Sequence, residues 1–394
     1  MSKLKQSAVA AVTGIALGLG ASAQAAPLTF TSLYSFPANS YNPVQVVDVG
    51  GQLYGVTQGG GETTDPPGAL GVIFHFDPTT GAETVLTSFS NNFNGYNPAG
   101  LISLGSRLLV YTTGGGQLDS NFSQGSGTIF NYNRATGRGR KFFDFIQIDF
   151  GCHANDLLPL NGQLYGTCNH GVGASGNGDN GILFQADAKT GAGKILYSFS
   201  GGADGGSPTG AVVSANGVLY GAVAKVAGTT ANGGVFSYDL ATGTESLLHQ
   251  FAASNEGSSP SGVVLCNGMV AGFNQRGGAA GMGTAFSIDP STNQETTLYT
   301  FQKNNIDGSF PFSWAPSCMN KWIYGAAARG GTAGVGTVFG ISMKTGKEAI
   351  VHNFAGPDGS FPYTSFAKVG GTLYGTTNLG GTNDGGTIFK LAPK

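Results

Sequence analysis

Apolar and polar residues alternate through most of this chain in short runs, each cut off by glycine, asparagine or aspartate, which is the pattern of β-strands joined by tight turns. One run recurs. It reads Leu53-Tyr54-Gly55, Leu164-Tyr165-Gly166, Leu219-Tyr220-Gly221, Ile323-Tyr324-Gly325 and Leu373-Tyr374-Gly375, with degenerate copies at Leu109-Val110-Tyr111 and Val270-Ala271-Gly272. Successive copies lie 56, 55, 55, 51, 53 and 50 residues apart, a period that suits four-stranded propeller blades. Each copy leads to a G-x-x-F unit, ending at Phe74, Phe130, Phe184, Phe236, Phe286, Phe339 or Phe389. A D-x-x-T-G turn follows, as at Asp77 to Gly81, Asp187 to Gly191 and Asp239 to Gly243, and then an apolar strand ends at Phe89, Phe145, Phe199, Phe251, Phe301 or Phe354. A further alternating segment precedes each copy. It is joined to it by pairs such as Gly50-Gly51, Asn161-Gly162, Asn216-Gly217, Asn267-Gly268 and Gly370-Gly371, which supply the positive φ that two-residue hairpins demand. Each repeat is therefore expected to be a sheet of four antiparallel strands, A to D, and the whole an all-β, seven-bladed β-propeller.

The two ends of the chain complement one another. The seventh repeat stops at Phe389-Lys390-Leu391 without its D strand, while Leu33-Tyr34-Ser35-Phe36 is a D strand with no blade before it. Pairing the two would complete the last blade, close the ring and remove two exposed sheet edges. Residues 26–394 are then one domain. Ahead of it, Lys3 and Lys5, an apolar run from Ala8 to Leu19 and the small residues ending at Ala23-Gln24-Ala25 form a signal peptide with an A-x-A cleavage site, over residues 1–25. The alternative, a membrane anchor, is disfavoured because the run is shorter than the ~20 residues a helical span needs.

The succession L-Y-G-T-T, G-G, G-T-I-F, T-G, L-Y-S-F, D-G, P is clearest at Leu373 to Phe389 and at Ile195 to Pro208. It resembles the GloVer tandem-repeat family of exported bacterial proteins over essentially the whole mature chain. The resemblance implies export and repeat architecture, but no agreed activity. Members often carry one of several C-terminal sorting anchors (the choice-of-anchor pattern), whereas this chain ends at Lys394 inside its last blade. A looser likeness to kelch blades lies in the glycine pair after strand B and in the D-x-x-T-G turn.

Composition narrows the function. Glycine contributes 68 of the 394 residues and charged residues only 10%, which fits many turns and a neutral surface, while 40% hydrophobic residues supply a core. A formal net charge of −2 and no cluster of Lys or Arg leave nothing to attract nucleic acid. With no later stretch of membrane length, a soluble protein is expected in the periplasm or outside the cell, and a monomer. Its five histidines, His75, His153, His170, His249 and His352, occupy non-equivalent positions, so no metal and no other cofactor is expected. Cys152, Cys168, His153 and His170 cluster locally and could hold zinc, but in an exported chain a disulfide is the expected use. The pairs would be Cys152 with Cys168, across one A to B hairpin, and Cys266 with Cys318, joining neighbouring blades. Loops such as Gly380 to Gly385 and Gly176 to Asp179 could each hold one calcium, yet neither repeats with the nonapeptide period of calcium-binding arrays. Gly191-Ala192-Gly193-Lys194 lacks phosphate-loop spacing, and no G-x-S-x-G nucleophile elbow occurs.

No catalytic set emerges. The favoured function is a non-enzymatic binding or scaffold protein whose partner is a glycan or an extracellular protein. The alternative is an extracellular enzyme, an oxidase or lyase acting on sugars. Strand direction puts the D to A and B to C loops on one face, and leaves the other to tight hairpins with little room for a site. On the first face, the interval from the third residue of each motif to the next motif phenylalanine is 19, 19 and 18 residues in blades 1 to 3 but 14 or 15 in blades 4 to 7. Its D to A loops carry Tyr41, Phe93, Tyr96, Phe150, Phe310, Phe312, Trp314, Phe361 and Tyr363. From these the candidate ligand-binding set is Tyr96, Phe310, Trp314 and Tyr363, with Asp307 and Asp358 as acceptors beside them. The competing expectation is that the loop aromatics fold down to plug the ring, and that the Asp-Gly pairs only form turns.

Overall fold

The structure, a computed structural model, describes residues 28–37, 41–61, 70–89, 94–116, 126–145, 154–170, 179–227, 232–252, 254–304, 306–313 and 315–394. The signal-peptide segment, Cys152, Trp314, Phe93 and Phe150 lie outside them, as do most of the longer B to C intervals of blades 1 to 3.

Seven antiparallel sheets are arranged in a ring as a seven-bladed β-propeller. Blade 4 is representative, with strands Gly206–Ala215, Val218–Lys225, Gly234–Asp239 and Thr244–Gln250 paired in that order. The A strands of neighbouring blades contact one another and so line the central channel. Blade 6 departs from the pattern, because its A strand is split into Gly308–Pro311 and Ser317–Met319, both held against Trp322–Gly330. The last blade combines Ala367–Val369, Thr372–Thr377 and Thr387–Pro393 with the N-terminal strand Leu28–Ser35, which runs antiparallel to Thr387–Pro393. The ring is closed as the chain ends suggest.

A phenylalanine from each D strand or just past it meets the C-strand phenylalanine of the next blade. The pairs are Phe89 with Phe130, Phe145 with Phe184, Phe199 with Phe236, Phe251 with Phe286, Phe301 with Phe339 and Phe354 with Phe389, and Phe36 with Phe74 completes the circle. Ring centroids lie 4.7 to 5.6 Å apart. Each buried ring contributes about 1.5–3 kcal/mol, and equivalent rings meet at every junction, so the motif aromatics are inter-blade core and no recognition surface.

The glycine of the L-Y-G motif has a steric cause. A Cβ at Gly55, Gly166, Gly221, Gly272 or Gly375 would collide with the ring of the C-strand phenylalanine paired beside it. Blade 2 corrects the sequence alignment by one residue. Val110, not Tyr111, pairs with Phe130, so the equivalent triplet is Leu108-Leu109-Val110. A valine is tolerated there because the Phe130 ring rests on Gly139 of the D strand instead.

The C to D pairing carries a bulge in every blade, which leaves Leu86, Phe142, Leu196, Leu248, Leu298, Val351 and Leu33 unpaired. Each stands three residues before its D-strand phenylalanine. Regular alternation would put the two on opposite faces, and the extra residue turns both toward the core.

Cys266 and Cys318, near the ends of adjacent A strands, form the expected disulfide with Cα atoms 5.5 Å apart. Cys168 is also disulfide-bonded, and its expected partner Cys152 lies outside the described residues.

Candidate functional site

In six blades the D to A turn ends in a residue followed by proline, and in all six that residue has positive φ. They are Asn42, Asn97, Ser207, Ser259, Phe310 and Phe361, with φ between 46° and 58°. The following proline packs on the glycine that opens the C strand of the preceding blade, as Pro311 does on Gly283 and Pro362 on Gly336. The amide of the positive-φ residue donates to that same blade, for example Phe310 N to Met282 O at 3.2 Å and Phe361 N to Val335 O at 2.9 Å. The junction therefore dictates the conformation. Asn and Ser are small or polar enough to tolerate it. Phenylalanine is a genuine outlier there and carries strain of about 1–3 kcal/mol.

The first of these phenylalanines lines an aromatic chamber. Phe312 and Tyr363 immediately follow Pro311 and Pro362, the first in the gap of its split A strand and the second ahead of its own, and their rings meet edge to face at 4.9 Å. With Phe310, Gln275, Arg276, Ala328 and Arg329 they line a cavity of about 250 Å³. The guanidinium of Arg329 sits over the Phe310 ring at 5.8 Å. Phe310, Phe312 and Tyr363 are all half-buried, so the rings neither plug the channel completely nor stand free. Tyr96 lies on the same face but on blade 2, outside this chamber, with its ring against Gly114.

The register positions that build this chamber recur in blades 1 to 3, where Val44, Gln58, Ala99, Thr113, Ala154, Asn155 and Asn169 line a second cavity of about 200 Å³. Behind it, the buried side chains Gln45, Tyr111 and Asp156 come from three successive blades. Leu101 N and Tyr111 Oη donate to Gln45 Oε1 at 2.9 and 3.4 Å, and Leu157 N donates to Asp156 Oδ1 at 2.7 Å. Burial raises the Asp156 carboxyl to about 6, against the lowering effect of the Leu157 amide and the nearby Tyr111 hydroxyl. The opposite face is also less closed than its hairpins suggest. A groove of about 380 Å³ opens there between blades 4 and 5, among Tyr220, Asp239, Thr242, Ser246 and Pro290.

Asp307 and Asp358 do not offer acceptors to the chamber. Asp307 is buried, and its Oδ2 accepts from Tyr299 Oη and Gln302 N, both at 2.8 Å. Asp358 takes His352 Nε2 at 2.6 Å and Ala355 N at 2.8 Å. Each ties its own turn to its own D strand. The same clasp recurs with Tyr197 on Asp204 and with His249 on Glu256, at 3.0 and 2.9 Å. At three successive junctions a glutamate from the next blade's D strand joins it: Glu245, Glu295 and Glu348. Burial, with Asp307 beside it, pushes the Glu348 carboxyl up to about 8. Burial, with Asp204, takes Glu245 to about 7. His249, Glu256 and Glu295 place their ligand atoms within 4.8 Å of one another, a convergence no sequence spacing announces because the next blade supplies Glu295. At the closing junction Tyr34 Oη donates to Glu83 Oε2 at 3.3 Å without a turn carboxylate.

The chamber residues that composition and loop length do not single out are Arg276, Arg329 and Gln275. The signal that could have found the strained pair is the x-Pro dipeptide, which aligns across repeats as Asn-Pro or Ser-Pro except at Phe310-Pro311 and Phe361-Pro362.

Fold and closure define the molecule as a seven-bladed propeller sealed by its N-terminal strand. Within that class, the chain belongs to the Gloeobacter/Verrucomicrobia repeat family, whose model matches residues 22–230 and 222–394. No curated protein matches it. Among solved structures it is similar to an oligogalacturonate lyase in complex with manganese, at 13% identity and a TM-score of 0.57, covering 93% of this chain and 97% of that one. An extracellular domain from B. thetaiotaomicron gives 12% identity and a TM-score of 0.59, covering 93% of this chain but 42% of the other. The β-propeller domain of the Trilobed protease from Pyrococcus furiosus gives 8% and 0.51, with coverage of 91% and 94%. At these identities the likeness is one of fold alone. Among the described residues no helix is long and apolar enough to cross a membrane.

Proposed function

We propose that this protein is an exported, monomeric, non-enzymatic binding protein that holds a saccharide in the aromatic chamber of blades 5 to 7. The observation that carries the reading is that Phe310, which lines the cavity, replaces Asn or Ser at a backbone position that penalises phenylalanine. Beside it, Phe312 and Tyr363 present half-buried rings to the same cavity. Half-buried aromatic faces suit the apolar face of a sugar ring. The Cys266–Cys318 disulfide fits an oxidising, extracytoplasmic compartment.

The test is glycan-array screening of the mature chain followed by calorimetry with the retained sugar. Replacing Phe312 and Tyr363 together by Ala should weaken binding by about ten-fold or more, which corresponds to about 1.4 kcal/mol. Retention of no glycan, or affinity indifferent to both substitutions, refutes the saccharide chamber, and capture of an extracellular protein through these rings would replace it with a protein partner.

A further inference from the structure

Beside the chamber runs an arc of positive charge. Lys225, Arg276 and Arg329 stand at or next to the ends of the B strands of blades 4, 5 and 6 at one register position, paired with Gly206, Ser258 and Ser309 of the adjoining A strands. All three sit on the face of the B to C loops, and Arg276 and Arg329 line the aromatic cavity. Both arginines are exposed, and Lys225 is half-buried. The equivalent positions of blades 1, 2 and 7 are Gly59, Gly114 and Leu379, and that of blade 3 is His170, which is bonded to Asp179, so the arc of Lys and Arg is confined to blades 4 to 6.

A protein with formal net charge −2 has no general excess of cations to distribute. The carboxylates nearest in the fold are also unavailable. Asp204, Glu256 and Asp307, from the turns entering the same three blades, are bonded to Tyr197, His249 and Tyr299 and to backbone amides of their own turns. Among the described residues no ion pair involves Lys225, Arg276 or Arg329. Three cations are thus held at the rim while the acids that could have neutralised them are turned to the blade junctions.

Resting on the saccharide reading above, we infer that the chamber takes an acidic saccharide, a chain of hexuronate units, with one sugar face on Phe312 and Tyr363 and its carboxylates at Arg276 and Arg329. Planar guanidinium groups suit bidentate bonding to carboxylate. Regular spacing of the arc from blade to blade suits a ligand with repeating charge, and Lys225 would meet a longer chain.

Calorimetry with three probes tests this: an oligosaccharide of hexuronate units, a neutral oligosaccharide of equal length, and an acidic peptide of equal charge. The hexuronate should bind at least about ten-fold tighter than the neutral chain, with an affinity that falls as salt is raised. Arg276→Ala and Arg329→Ala should each lower its affinity about ten-fold while leaving the melting temperature unchanged, and Arg329→Lys should recover part of the loss. If the neutral chain binds as well and depends on Phe312 and Tyr363 alone, the acidic specificity is wrong and the saccharide chamber stands. If neither sugar binds, both fall. Tighter binding of the acidic peptide overturns the inference in favour of a protein ligand.

Discussion

Two cavities occupy equivalent register positions at the channel mouth and differ in almost every side chain. On blades 1 to 3 the wall is small and amide-rich, with Val44, Ala99, Asn155 and Asn169. On blades 5 to 7 the same positions hold Phe312, Tyr363, Gln275 and Ala328, with Arg276 and Arg329 added one residue further on. Backbone geometry is shared, since Asn42, Asn97, Phe310 and Phe361 have nearly the same φ before proline. The ring supplies a repeated frame, and the side chains placed on it give each sector its own chemistry. The outer rim is lopsided in the same sense. Carboxylate clasps occupy the junctions from blade 3 to blade 7, joined by a glutamate as far as blade 6, whereas the equivalent positions between blades 1 and 2 hold Thr87 and Gly139, and those between blades 2 and 3 hold Phe143 and Gly193.

The largest expected effect erases both cavities together. Deleting residues 26–36 removes the strand that bonds to Thr387–Pro393 and the Phe36 ring packed on Phe74, leaving an unpaired edge between the two sectors. Leu28 and Phe36 alone bury side chains worth about 1.5–3 kcal/mol each. The truncated chain should melt at a lower temperature or aggregate, and an unchanged melting curve would show that closure contributes nothing.

A smaller effect separates the sectors by pH. Glu348, held near 8, and Glu245, near 7, keep their protons in the folded state after they would have lost them in the unfolded chain. Because the folded protein then binds more protons, the contribution of these two groups to stability is fully present below the ordinary carboxyl range and is lost as pH rises toward about 8. Glu348→Gln should flatten this slope at the junction of blades 5 and 6, where Asp307 and Tyr299 face it. Asp156 adds a similar decline through about pH 6 on the other side of the ring. Melting temperatures of the wild type, Glu348→Gln and Asp156→Asn between pH 5 and 9 check both, and a slope unchanged in Glu348→Gln removes the clasp from the account.

The smallest effect sharpens the contrast at a single backbone position. Phe310→Asn should relieve the positive-φ strain and raise stability by about 1 kcal/mol, while weakening ligand binding. The reverse change in a sector without aromatic rings, Ser259→Phe, should lower stability by about 1–3 kcal/mol with no gain in binding. Chemical denaturation of both variants measures the pair, and loss of stability in Phe310→Asn would mean that the ring contributes more as packing than the turn stores as strain.

Repeat number, strand order and closure were legible along the chain because every blade solves the same local problem with the same residues. A hairpin needs Asn161-Gly162, a ring needs the space of Gly166, and an orphan Leu33-to-Phe36 strand needs the edge after Phe389. The Cys266–Cys318 pair was legible for the same reason, since the two residues occupy matching places in adjacent repeats. Blade 2 slipped by one residue because Gly139, on another strand, takes over the role of the motif glycine. The candidate site was legible only in part. Phe310 and Tyr363 were visible as loop aromatics, but Asp307 and Asp358 were misplaced, because an Asp-Gly pair reads alike whether its carboxylate faces a ligand or the tyrosine or histidine of its own D strand. Arg276 and Arg329 went unmarked for the opposite reason. They stand 53 residues apart in sequence and become neighbours of one cavity only when blades 5 and 6 are laid side by side. Local pattern specified the blade, and the meeting of side chains from successive blades, which depends on the curvature of the closed ring, decided where a ligand could be held.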